Sequence, residues 1–169
     1  MKSLLYVTLA CIPLLSIAQD HTADSLKIQE VVTVFLQSVE HKDSVNFVQL
    51  FFSDQVPFTG IMSKKTEWSI KEGYPDFQGI AVSDHKQFIS EICSTDTSQR
   101  EKISHFTSSN DGSIASVSFD YAYFSNANMI QWGHEKWNLV KVEEAWLITD
   151  VIYSIHFPDV EPFPSGNGH

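Results

Sequence analysis

Between residues 112 and 157 the chain reads GSIASVSFDYAYFSNANMIQWGHEKWNLVKVEEAWLITDVIYSIHF. Three runs rich in Val, Ile, Phe, Tyr and Trp are separated by two short polar turns, SNAN and EEA. Such runs predict a three-stranded antiparallel meander. Upstream, the apolar period changes. Ile28, Val31, Val32, Phe35, Leu36 and Val39 recur at helical spacing and predict a helix over 24–41. Asp24 or Ser25 can cap its first turn, and His41-Lys42 suits the negative end of its dipole. Asp43 or Ser44 opens a second helix to about Phe52, with Phe47, Val48, Phe51 and Phe52 on its buried side. The tight link makes the two helices an αα-hairpin. VPFTGIM, residues 56–62, predicts a short strand, placed at a sheet edge by Pro57. Residues 63–80 carry isolated aromatics, Trp68, Tyr74 and Phe77, in an ordered loop over the open end of the fold. Ser83 or Asp84 caps a third helix to about Ser94, with Phe88, Ile89, Ile92 and Cys93 inward. Residues 101–108 form a further strand, which Asn110-Asp111-Gly112 turns into the meander. Helical patterns precede the meander and do not interleave with it. The expected class is therefore α+β, an antiparallel sheet with three N-terminal helices. The ending DVEPFPSGNGH predicts a mobile tail over 158–169.

The first eighteen residues have a different character. Lys2 gives a positive start, LLYVTLACIPLL is a short apolar run, and Ser16-Ile17-Ala18 supplies small residues before Gln19. This is the order of a secretory signal peptide, so residues 1–18 are expected to be removed on export. The apolar run is too short to span a bilayer comfortably. The product is a periplasmic or extracellular domain over 19–157 with no membrane attachment. Cys93 then remains alone and cannot form an internal disulfide; on an apolar helix face it reads as a buried, inert thiol. At 169 residues and 43% hydrophobic, the chain suffices for one packed domain. Its formal net charge of −10 disfavours nucleic acid and anionic lipid as partners.

The order helix, helix, strand, helix, four antiparallel strands resembles the nuclear transport factor 2-like superfamily, also called SnoaL-like. The residues that carry the likeness are FLQSVEHKDSVNFVQLF (35–51), IASVSFDY (114–121) and GHEKWNLVKVEEAWLITDVIYS (133–154). Exported bacterial members of unassigned function share a pattern matched here by Gly133, Glu135, Trp137, Leu139-Val140-Lys141, Trp146 and Ile148. The resemblance implies a cone of curved sheet wrapped around helices. That fold hosts ketosteroid isomerases, dehydratases, epoxide hydrolases, transport adaptors and plain binders, so it implies no single activity. The isomerases' tyrosine and two carboxyl groups find no match residue by residue. Neither does the Asp-Arg-Asp set of the epoxide hydrolases, and no catalytic residue carries over.

Strand parity selects candidate site residues. Val117, Phe119, Tyr121 and Tyr123 share one side of their strand and are expected to face the helices and any pocket. The tyrosines are apolar walls with a polar tip that orients a ligand; the alternative is core rings bonded to backbone. Glu135 shares a side with Trp137 and Leu139, opposite to His134. If buried, it has a raised pKa and can serve as general acid or base; the alternative is a surface or hydrogen-bonded structural glutamate. Asp150, on the expected Trp146-Ile148-Ile152 side of the last strand, is a second carboxylate candidate, with an exposed or interface position as its alternative. No HExxH, CxxC or close His pair points to a metal, no Gly-rich loop cradles phosphate, and no cofactor is implied. Trp132, Trp137 and Trp146 read as cross-strand pairs. The last strands are apolar on both expected faces, with Leu147, Val151, Tyr153 and Ile155 on the second, which predicts a homodimer through the sheet. The leading reading is non-catalytic binding of a small, partly apolar ligand by Phe119, Tyr121, Tyr123, Glu135 and Trp137. The alternatives are a cofactor-free lyase, isomerase or hydrolase using a buried carboxylate, and a structural dimerisation module. Two ionisable groups converging on one point would favour chemistry.

Overall fold

A computed structural model describes residues 15–164, with side chains from Thr22 onward. The proposed signal segment lies outside the described residues as far as position 14. Among the described residues four helices accompany one mixed sheet: α1 (Leu15–His41), α2 (Ser44–Val48), α3 (Lys64–Lys71) and α4 (His85–Ser94). The strands are β1 (Pro57–Met62), β2 (Ile80–Asp84), β3 (Gln99–Asn110), β4 (Ile114–Ser125), β5 (Asn128–Val142) and β6 (Ala145–Ile155), in the order β2-β1-β6-β5-β4-β3. The sheet does not close. All its pairings are antiparallel except β1 with β6. The class is α+β and the shape is a cone, as expected, with one parallel junction and a fourth helix added.

The predicted helical stripe of α1 is its buried face: Ile28, Val32, Phe35 and Val39 are nearly inaccessible. They meet the inward residues of the meander, Val117 and Phe119 on β4, Trp137 and Leu139 on β5, and Ile148 and Val151 on β6. Phe35 sits at the centre, with ring centroids 4.8 Å from Trp137 and 5.0 Å from Phe47. Such a ring contributes about 3–5 kcal/mol relative to alanine. Asp24 ties α1 to β5 and β6: its Oδ1 accepts from Lys141 Nζ at 2.8 Å and from Trp146 Nε1 at 3.0 Å. These donors hold its carboxyl below the usual carboxylate range.

Several local expectations change. Pro57 does not mark an edge: β1 lies between β2 and β6, and the proline is tolerated as the first residue of the strand. Residues 64–71 form a helix, with Ser63 Oγ accepting from the Thr66 N–H at 3.1 Å as its N-cap. Asp84 caps α4 as expected, accepting from the Lys86 and Gln87 N–H groups. Cys93 is exposed, not buried, because Ile89 and Ile92 set the inward face of α4 and position 93 falls past its rim. Its thiol donates to the Lys42 carbonyl at 3.3 Å. The tail does not leave at once: Trp132 Nε1 donates to the Glu161 carbonyl at 2.8 Å, and Glu161 also meets His156 and Ser63.

The largest change is on β6. A bulge falls where Asn138–Asp150 gives way to Leu139–Ile148, so Thr149 is an extra residue. Parity inverts across it. Trp146, Ile148, Val151 and Ile155 are all buried inward, while Ile152 is exposed. The last strand is therefore not apolar on two faces. The tryptophans do not pair with one another: Trp137 and Trp146 point inward, while Trp132 forms a cross-strand pair with His156, stacked on it on the outer face at 4.1 Å.

Candidate functional site

Between the sheet and helices α1 and α4 lies a small cavity of about 30 Å³. The sheet supplies Phe58, Glu101, Tyr121, Tyr123, Gln131, Glu135 and Tyr153; Phe35 of α1 and Phe88 of α4 close it from the helical side. Period-2 alternation puts the polar set on one face: Glu101 is registered with Tyr123, and Glu135 with Phe119 and Tyr153. Curvature then converges β3, β4, β5 and β6 on one point. Phe88, Tyr123, Gln131 and Tyr153 also line an adjoining outer groove of about 580 Å³, bounded by β2 and α4.

Both carboxyl groups are withdrawn from solvent, Glu101 at 9% and Glu135 at 5% exposure. Glu135 Oε1 accepts from Trp137 Nε1 at 2.6 Å, a charge-assisted bond that favours the anion. Burial outweighs it and pushes the Glu135 pKa up to about 7. Glu101 lacks such a donor, and its Oε1 is buried without a hydrogen-bond partner among the described residues. Burial, with the Glu135 charge beside it, raises its pKa well above the ordinary value. The two carboxyl groups titrate as a pair, both displaced towards the neutral form, with Glu135 in the range where it exchanges a proton near neutral pH. Burial also raises the tyrosines, Tyr153 to about 12, so all three are neutral hydrogen-bonding groups. Tyr121 is already committed, donating to the Ser154 carbonyl at 2.8 Å. Tyr123 and Tyr153 stand at the junction with the outer groove.

No family model matches the chain, and no curated protein matches it. Solved structures do match. An NTF2-like protein of unknown function from Shewanella baltica superposes with a TM-score of 0.55 at 16% identity, covering 80% of this chain and 96% of its own. The chain has the nuclear transport factor 2-like fold. A second NTF2-like neighbour, provisionally named a scytalone dehydratase, comes from Novosphingobium aromaticivorans, with TM-score 0.60, 10% identity, and coverage of 83% and 89%. A third, from the same organism and provisionally named an aromatic ring hydroxylase, has TM-score 0.56 at 12% identity, covering 81% and 92%.

Within this NTF2-like cone the residues selected by parity are placed as follows. Tyr121, Tyr123 and Glu135 face the cavity and line it. Phe119 and Trp137 face the same way but lie deeper, in edge-to-face contact at 5.3 Å. Trp137 acts on the site only through its bond to Glu135. Asp150 does not belong to it. The bulge at Thr149 turns it outward, where its oxygens accept from Asn138 Nδ2 at 2.9 and 3.1 Å. Segment 63–80 lines neither cavity, because 64–71 is folded as a helix; Ala81, Val82 and Ser83 on β2 border the groove instead. Sequence reasoning missed Glu101 and Tyr153. Glu101 shares parity with the inward Ile103, a signal that could have found it. The bulge hid Tyr153. Among the described residues no three His, Cys, Asp or Glu side chains are grouped to hold a metal ion.

Proposed function

We infer that the chain is a cofactor-free acid–base catalyst, a lyase or isomerase acting on a small, partly apolar molecule in the cone. The observation that carries this reading is the pair Glu101 and Glu135, buried on one cavity small enough that both reach whatever occupies it. Opposed protonation of neighbouring carboxyl groups is the usual way one site obtains an acid and a base at neutral pH. Glu135, whose anion is stabilised by Trp137, takes a proton from substrate carbon or oxygen. Glu101, kept neutral, donates a hydrogen bond or a proton to the developing oxyanion. Phe35, Phe58 and Phe88 exclude water and favour an apolar or aromatic skeleton. Tyr123 and Tyr153 orient its polar end. The dehydratase name attached to one neighbour describes chemistry of this kind in that protein.

A non-catalytic binder is the second reading. It is supported by the volumes: the inner cavity takes little more than a water, while the outer groove can hold a small molecule away from the carboxyl groups. The experiment that separates them starts with protein purified from its native host. Small molecules retained by it are identified by mass spectrometry and offered to the parent and to Glu135→Gln. The catalytic reading expects turnover to fall by about 10²–10⁴ in Glu135→Gln while binding is largely kept. Binding without product in the parent establishes the binder.

A further inference from the structure

The outer face of the sheet carries a second constellation, unrelated to the cone. Ser118 and Asp120 lie two residues apart on β4 and share that face. His134 stands directly across from Asp120 on β5. Asp120 is held below the usual carboxylate range by the hydrogen bond from His134, and it stays ionised and accepts only. His134 Nδ1 therefore carries the proton and donates to Asp120 Oδ1 at 2.8 Å. That tautomer leaves Nε2 as an acceptor, and Ser118 Oγ lies 2.9 Å from it. The other oxygen, Oδ2, accepts from His105 Nδ1 at 2.9 Å, which fixes the carboxylate plane. His105 reaches it from a bulge between Ser104 and Thr107, in left-handed backbone at φ 52°. A non-glycine residue held there costs about 1–3 kcal/mol.

Beside these residues is a cavity of about 380 Å³, with Asp120 and His134 in one wall and Trp132, His156 and Phe163 in another. Its shape is preformed. The Trp132 indole stacks on His156 at 4.1 Å, meets Phe163 edge-on at 5.7 Å, and is anchored by its N–H on the Glu161 carbonyl. Lys136 is the residue across from Ser118 on the same face.

We propose that Ser118, His134 and Asp120 form a nucleophilic hydrolase site on the outer face, cleaving small esters whose apolar part lies in the Trp132–Phe163 cavity. The roles follow from geometry. Ser118 Oγ bonds to the ester carbonyl carbon as its proton passes to His134 Nε2. The carbon–oxygen bond to the alcohol then breaks, and the alcohol leaves with that proton. Water attacks the acyl-Ser118 ester by the same route, releasing the acid and restoring the serine. Asp120 holds the imidazole in its tautomer and balances its transient charge, and the Lys136 ammonium is the cation placed to meet the oxyanion. Trp132 is registered with Ala122, four residues along from Ser118, about 13 Å. The site therefore suits an extended acyl or aryl group over an acetyl.

The test uses the full chain. It is treated with a fluorophosphonate probe and the adduct is located by peptide mass spectrometry. In parallel, hydrolysis of p-nitrophenyl acetate, butyrate and octanoate is followed. The expected result is an adduct on Ser118, faster cleavage of the longer esters, and loss of at least 100-fold of the rate in Ser118→Ala with an unchanged far-ultraviolet spectrum. An unlabelled Ser118 in the parent, or a Ser118→Ala variant that hydrolyses the esters as fast as the parent, would overturn the proposal.

Discussion

A carboxyl group buried beside a second one titrates as a member of a pair, and this sets how the protein responds to pH. Glu135 is pushed up to about 7 in the folded chain, against about 4.3 in an unfolded one. Between those values the folded state holds the extra proton. Its stabilising contribution is complete below the unfolded value and is lost as pH rises through the folded one. Glu101, shifted in the same direction, adds to that loss. His85 opposes the slope: buried against Phe51, its pKa is lowered, and it favours the folded state as pH rises. A comparison of variants cancels His85. Glu135→Gln is expected to flatten the fall in stability between pH 5 and 8, and at pH 8 to exceed the parent by on the order of 2–3 kcal/mol. Urea melts across that range measure it; parallel curves for the two proteins would show that Glu135 is not a perturbed carboxyl.

At the scale of elements, the approach of β5 to β6 decides what the site can be. Gly133 lies where a Cβ would stand 1.9 Å from the Ser154 carbonyl oxygen, the same oxygen that accepts from Tyr121. No rotamer relieves a clash with backbone, so Gly133→Ala must part the strands and free the Tyr121 hydroxyl. It is expected to cost about 2–3 kcal/mol, read as a lower urea midpoint, and to weaken any ligand held in the cavity that Tyr121 and Glu135 line. The bulge at Thr149 is the other decisive element feature. One extra residue moves Asp150 from the interior to the surface and Tyr153 from the surface to the cavity. A loop insertion leaves the rest of a fold in place, but a strand insertion reverses every side chain that follows.

For the whole molecule, the outer face of the sheet is where we propose that association occurs. With the bulge in place, its apolar surface is a row across three strands, Ile114 opposite Val140 and Val140 opposite Leu147, at the end far from Ser118. Ile114 is 61% exposed, and Ile152 adds a further apolar residue on the same face at 50%. We expect a second copy of the chain to cover this row in a twofold dimer, which leaves the polar end of the face open. Sedimentation velocity at micromolar concentration should show the dimer in the parent and a monomer in Val140→Lys. A monomeric parent would remove the dimer.

The local pattern alone determined the helical stripe of α1, the Asp84 cap, the turns of the meander, and the inward direction of Tyr121, Tyr123 and Glu135. Each depends on residues a few positions apart, where the periods of helix and strand act directly. Tertiary structure decided the rest. The strand at 80–84 has little apolar alternation of its own and exists by pairing with β1. The parallel junction of β1 with β6 joins segments about ninety positions apart. Cys93 is exposed and Asp150 faces outward because a helix rim and a bulge are settled by what packs against them. The partnership of Glu101 with Glu135 needs β3 and β5 curved towards each other across β4. Alternation shows which way a side chain points; only the curvature of the closed core decides what it meets there.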